Sequence, residues 1–165
     1  MRILAISILA GLASVAAAAA SAQAVASPAT VVIRGEAGQL ATLTATDLDA
    51  LPQAMATIAH DGKTMTFTGA RLDAVLAKVD APLGKAMHGP ALADVVLVKA
   101  SDGYRVALAL SDLDPGVRAD PVILVDRQDG QPLGKDGPFR LAAGGDLKPA
   151  RSARSVVEID VLRLP

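Results

Sequence analysis

The chain has 165 residues, with 16 Lys and Arg against 17 Asp and Glu, no Cys, no Trp, one Tyr and two Phe. Near-neutral charge and three aromatic residues leave little for phosphate-backbone attraction or base stacking, which argues against a nucleic-acid partner. The absence of cysteine excludes disulfides, thiolate metal ligands and thiol nucleophiles.

Arg2 precedes an apolar run from Ile3 to about Ala20, followed by Ala20-Ser21-Ala22 and Ala22-Gln23-Ala24, both of A-x-A type. This pattern predicts a cleaved secretory signal over residues 1–24 and an exported, periplasmic or secreted product. Residues 25–165 have the length of one domain, able to bury about two-thirds of its unfolded surface.

Along that domain, Val31-Val32-Ile33 predicts a β-branched strand, and Leu40 to Leu43 a second short apolar piece. Thr46 with Asp49 fits a capping box for a helical turn ended by Pro52, with Leu48 and Leu51 inward. Ala54 to Ala59 and Lys63 to Thr68 flank His60-Asp61-Gly62, a hairpin signal. Gly69 is expected to break the strand. Leu72, Val75, Leu76 and Val79 then fall at i, i+3, i+4 and i+7, the mark of an amphipathic helix. Lys85 to Ala93 reads as a loop into the stretch Val95 to Asp112, where two alternating segments flank Ser101-Asp102-Gly103. Asp-Gly supports a tight reversal because glycine accepts positive φ and the aspartate can bond its own backbone. Any site is expected near that tip. A helical turn at Ser111 to Pro115, a buried strand at Pro121 to Val125, a turn at Gln128-Asp129-Gly130, a strand at Pro138 to Leu141, a loop at Gly144-Gly145-Asp146 and a closing strand at Val156 to Leu162 complete an α+β order. The expected fold is a mixed sheet with hairpins, one main helix and short helical turns.

Four motifs stand in register: Phe67 to Leu72, Ser101 to Tyr104, Gly137 to Leu141 and Ala150 to Arg154. Together they resemble the molybdopterin-binding oxidoreductase domain of the sulfite oxidase superfamily, from about Val31 to the C-terminus. The resemblance implies a fold whose loops, on one face of the sheet, hold a pterin-bound molybdenum through a cysteine thiolate. This chain departs from it in having no cysteine. It has Arg154-Ser155 where the family often has lysine and tryptophan, and Ala143-Gly144-Gly145 where the family has a proline-glycine loop. Only Arg2 precedes the apolar run, whereas folded export of a loaded enzyme uses a twin-arginine signal.

Arg127, Arg140, Lys148, Arg151 and Arg154 supply cations where the family grips a pterin phosphate, and the guanidinium fork suits a phosphate or carboxylate. They read either as an anion site or as surface cations paired with Asp126, Asp129, Asp136 and Asp146. Arg151 and Arg154 are the leading pair. Asp102 and Tyr104 are candidates for lining the same pocket, or for making the turn and packing a ring. His60 and His88 lack the spaced partners of a metal site, and no G-x-S-x-G or G-x-G-x-x-G occurs. Three functions follow: a non-catalytic module binding an anionic small molecule or another exported protein; an oxidoreductase or its subunit holding molybdopterin without a thiolate; and a structural interaction domain. The residues themselves require no cofactor, and molybdopterin is the one the resemblance implies.

Overall fold

The computed structural model describes residues 29–164, so the expected signal segment lies outside the described residues. The strands are β1 (Thr30–Arg34), β2 (Leu40–Thr44), β3 (Gln53–His60), β4 (Lys63–Arg71), β5 (Val95–Ala100), β6 (Arg105–Ala109), β7 (Val122–Val125), β8 (Arg127–Gln128), β9 (Gln131–Pro132), β10 (Arg140–Ala143) and β11 (Val156–Leu162). Helices α1 (Ala45–Asp49) and α2 (Leu72–Leu76) join several 3-10 turns. The α+β class holds, but the strands divide between two sheets and a small ribbon. One sheet has the order β2-β1-β11-β5-β6, the other β10-β7-β4-β3, and β8-β9 is separate. The first sheet is mixed because β1 runs parallel to β11, pairing Ile33 with Ile159.

Period-2 patterning decides which side of each strand is buried. From the first sheet, Val31, Ile33, Val96, Val98, Val106, Leu108, Ile159 and Val161 join the main core. Val122, Leu124, Leu141 and Ala143 of the second sheet, with Leu72, Val75 and Leu76 of α2, belong to the same cluster. The opposite face of the second sheet carries a smaller core of Ala56, Ile58, Phe67, Ile123, Val125 and Ala142. All four residues of β7 are buried because its two faces enter two different cores, which accounts for its unbroken apolar run.

Four expectations are corrected. The capping box forms two residues early: Thr44 N donates to Asp47 Oδ2 at 2.8 Å and Asp47 N to Thr44 Oγ1 at 3.3 Å. Both threonine–aspartate pairs have the spacing, but β2 ends at Thr44, so the helix starts there. Asp49 instead accepts from Arg127 Nη2 at 2.8 Å. The main helix is shorter than its pattern: α2 passes at Ala77–Val79 into a 3-10 turn that ends at Asp80, whose φ is 54°. All four apolar positions are buried nonetheless. Gly69 does not break its strand. β4 continues to Arg71, and Gly69 is where β7 passes: a Cβ there would lie 2.6 Å from Leu124 O and closer still to Val125 Cγ1. The strand expected at Pro138 to Leu141 forms two residues later, as β10.

No helix among the described residues is long and apolar enough to cross a membrane.

Candidate functional site

Two hairpin tips and one irregular segment meet around a cleft of about 630 Å³. The β3–β4 tip contributes Ala59, His60 and Asp61, and the β5–β6 tip Asp102 and Tyr104. Arg140 and residues 147–150 and 152–154 complete the lining. Both tips are Asp-Gly reversals in the left-handed region, with φ of 71° at Gly62 and 88° at Gly103. Asp102 makes its turn as expected, accepting at Oδ1 from Tyr104 N at 2.9 Å. The Tyr104 hydroxyl donates to Ala150 O at 2.6 Å, so the residue ties the tip to the irregular segment. Ser101 N adds a second tie, donating to Ser155 O at 2.9 Å. On its other side the segment is pinned to β10: Ala143 N donates to Ser152 Oγ at 3.1 Å and Leu141 N to Ala153 O at 2.8 Å.

Arg140 opens β10 with a side chain only 3% exposed. Its guanidinium carbon lies 4.8 Å from the Phe67 ring centroid, within cation–π range, and Nη1 donates to Asp136 Oδ2 at 2.9 Å. Its Nε is buried with no partner among the described residues. Burial pushes this guanidinium below its ordinary value, Asp136 opposes that, and the charge of Arg154 adds to it. An arginine stays protonated at neutral pH even so. Arg154, 52% exposed, reaches the same Asp136 Oδ2 through Nε at 3.4 Å. One carboxylate therefore serves two guanidiniums at this end of the cleft, where Lys148 also lies, while the carboxylates of Asp61 and Asp102 line the hairpin-tip side.

Of the six residues expected to form the site, Arg140, Lys148, Arg154, Asp102 and Tyr104 line this one cleft, and Arg151 does not. Arg151 donates from Nε and Nη2 to Asp146 at 2.9 and 2.6 Å, and from Nη1 to Asp112 at 2.8 Å. The pairing of Arg151 with Arg154 is thus corrected: one ends a 3-10 turn, the other follows it, and they serve different carboxylates. Arg127 is also elsewhere, bridging Asp126 and Asp49 beside a depression of about 330 Å³. The ion-pair alternative thus describes Arg127 and Arg151, and the pairing of Arg140 and Arg154 with Asp136 follows it too, though those two line the cleft. Asp61 and Leu147 were not singled out by sequence, and His60 was considered there only as a metal ligand. The His60-Asp61-Gly62 turn was visible, but that it shares an end of the molecule with Asp102-Gly103 depends on pairing between distant strands.

Asp146 is the hub of a latch beneath the cleft loop. It also accepts from Arg118 Nη2 at 3.1 Å, and Arg118 donates to Gly144 O as well. The Arg151 hydrogen bond holds the Asp146 carboxyl below its usual range; burial opposes this, and Arg118 reinforces it. A carboxylate depressed in the folded state contributes stability that is full above its unfolded value, near 4, and is lost as pH falls through the folded value. Asp146→Asn is expected to lower stability at pH 7 by about 2 kcal/mol. Thermal melts from pH 7 to pH 2 should show the gap between variant and parent closing below about pH 4. A gap independent of pH would contradict the latch.

The chain contains no cysteine, and no group of three or more His, Cys, Asp and Glu side chains among the described residues is arranged to hold a metal. The donor set therefore does not fit a thiolate-bound molybdenum. The cations of the cleft fit the anionic part of a ligand.

No family model matches the chain, and no curated protein matches it. Among solved structures it is similar to the sulfane dehydrogenase SoxCD from Paracoccus pantotrophus, at 16% identity and a TM-score of 0.59. The match covers 81% of this chain and 38% of that one, so the chain spans well under half the length of its structural neighbour. The likeness is one of architecture: an α+β domain distantly related in fold to part of that dehydrogenase.

Proposed function

We propose that this chain is an exported binding module that takes a small anion at the cleft between its hairpin tips and performs no metal chemistry of its own. The observation that carries this reading is Arg140. It is a buried guanidinium on the cleft wall that, among the described residues, shares the Asp136 carboxylate with the half-exposed guanidinium of Arg154. Arg154 is open to a ligand oxygen, and the buried charge of Arg140 beside it adds to the attraction for an anion. Calorimetric titration with inorganic phosphate tests the proposal. Saturable binding is expected, weakened about fivefold by Arg154→Ala, the loss of roughly 1 kcal/mol that a half-exposed ionic contact supplies. Phosphate binding that is absent, or unaffected by Arg154→Ala, would overturn it.

The fold likeness to a dehydrogenase favours a second reading, a subunit of a redox enzyme that holds a pterin cofactor. Elemental analysis for molybdenum and pterin fluorescence after oxidation, on protein from its native source, separate the two. Stoichiometric metal and pterin would favour the redox subunit, and neither signal the module.

A further inference from the structure

Leu147 is 97% exposed, yet it is not on a loose tip. Its neighbour Asp146 is gripped by Arg118 and Arg151, and Arg118 also holds Gly144 O, so the turn that presents Leu147 is fixed on both sides. Leu147 lines the same cleft as Arg140, Lys148 and Arg154, together with Pro149, Ala150 and Ala153. Those four residues present side chains with neither donor nor acceptor. The Ala150 carbonyl is already engaged by the Tyr104 hydroxyl, and the Tyr104 ring remains about half exposed. The cleft thus has a cationic part built around Arg140 and Arg154 and an apolar part built around Leu147, with the carboxylates of Asp61 and Asp102 on the hairpin tips, in one continuous cavity. Ligand sites are typically apolar walls with a few placed polar groups. An inorganic anion would use only the cationic part and leave a fixed leucine in water.

From this division we infer that the ligand is an amphiphilic organic anion: a carboxylate, sulfonate or phosphate head on a flat or branched apolar body. The head meets the Arg154 guanidinium beside Arg140, and the body covers Leu147 and the Tyr104 ring. This rests on the anion-binding reading and specifies its substrate class. Covering one leucine side chain supports a gain of about tenfold or more in affinity over the bare head group.

The probe is 1-anilinonaphthalene-8-sulfonate, whose emission rises in an apolar site. The chain has no tryptophan and one tyrosine, so intrinsic fluorescence interferes little. Displacement is then measured with 2-naphthoate, neutral 2-naphthalenemethanol and inorganic phosphate on the full exported chain. The expected result is displacement by naphthoate at a concentration about tenfold or more below that needed for either the alcohol or phosphate. Leu147→Ser should weaken naphthoate at least fivefold. It should leave calorimetric phosphate affinity and the melting temperature unchanged, since the side chain packs against nothing. Naphthoate no better than phosphate, with Arg154→Ala still weakening both, would overturn the amphiphilic ligand while the anion site stands. Naphthoate affinity untouched by Arg154→Ala and Arg140→Lys would overturn both.

Discussion

Arg140→Lys is expected to weaken anion binding by about tenfold, roughly 1.4 kcal/mol, because Arg140 fixes the Asp136 carboxylate that positions Arg154 at the cleft. Lysine keeps the positive charge and much of the apolar stem, but it has no N–H at the position of Nε and no planar fork to lie over Phe67 while reaching Asp136. The fold is expected to survive, because Asp136 retains Arg154 and the Phe67 ring stays in its core cluster. Affinity by calorimetry and unfolding by thermal melt therefore separate the two consequences. Unchanged affinity in Arg140→Lys would show that the Arg140–Asp136 pair does not position Arg154 for the anion. A Lys148→Ala control should lose less, since that ammonium contributes as a flexible point charge.

The largest effect on stability is expected from Gly69→Ala. The added methyl would meet the Leu124 carbonyl at 2.6 Å and crowd Val125 Cγ1. Neither can move cheaply, because Leu124 and Val125 belong to the strand buried on both faces. Overpacking of this kind costs about 3 kcal/mol, or roughly 10 °C in melting temperature for a domain of this size. A melting temperature within about 2 °C of the parent would mean that β4 and β7 separate more easily than their contact implies. Damage should reach the cleft too, because Phe67, two residues before Gly69 on β4, lies under the Arg140 guanidinium.

Much of the architecture was legible because it is local. The Asp-Gly turns at residues 61–62 and 102–103 sit where alternation breaks, and each alternating run became a strand with its apolar side buried. The division into two sheets was not legible. It depends on which distant strands pair, β1 with β11 in one sheet and β4 with β7 in the other, and short-range periodicity carries no trace of that. Gly69 misled because glycine inside a strand pattern reads as a break, whereas here it gives close passage to a neighbouring strand. Arg151 misled for a related reason. Five cations within one segment look equivalent, and only the position of each carboxylate separates Arg151, engaged by Asp146 and Asp112 away from the cleft, from Arg140 and Arg154, which share Asp136 on the cleft wall. Leu147 carried no signal at all, since a leucine between Asp146 and Lys148 looks like any loop residue until its exposure is known.

Amide chemical shifts of the uniformly 15N-labelled chain, followed during titration with 2-naphthoate, test the central claim most directly. The account predicts saturating shifts concentrated at residues 59–61, 102–104, 140 and 147–154, with the surroundings of Arg127 unmoved. Shifts centred on Asp126 to Gly130, or scattered without saturation, would contradict a binding site between the hairpin tips.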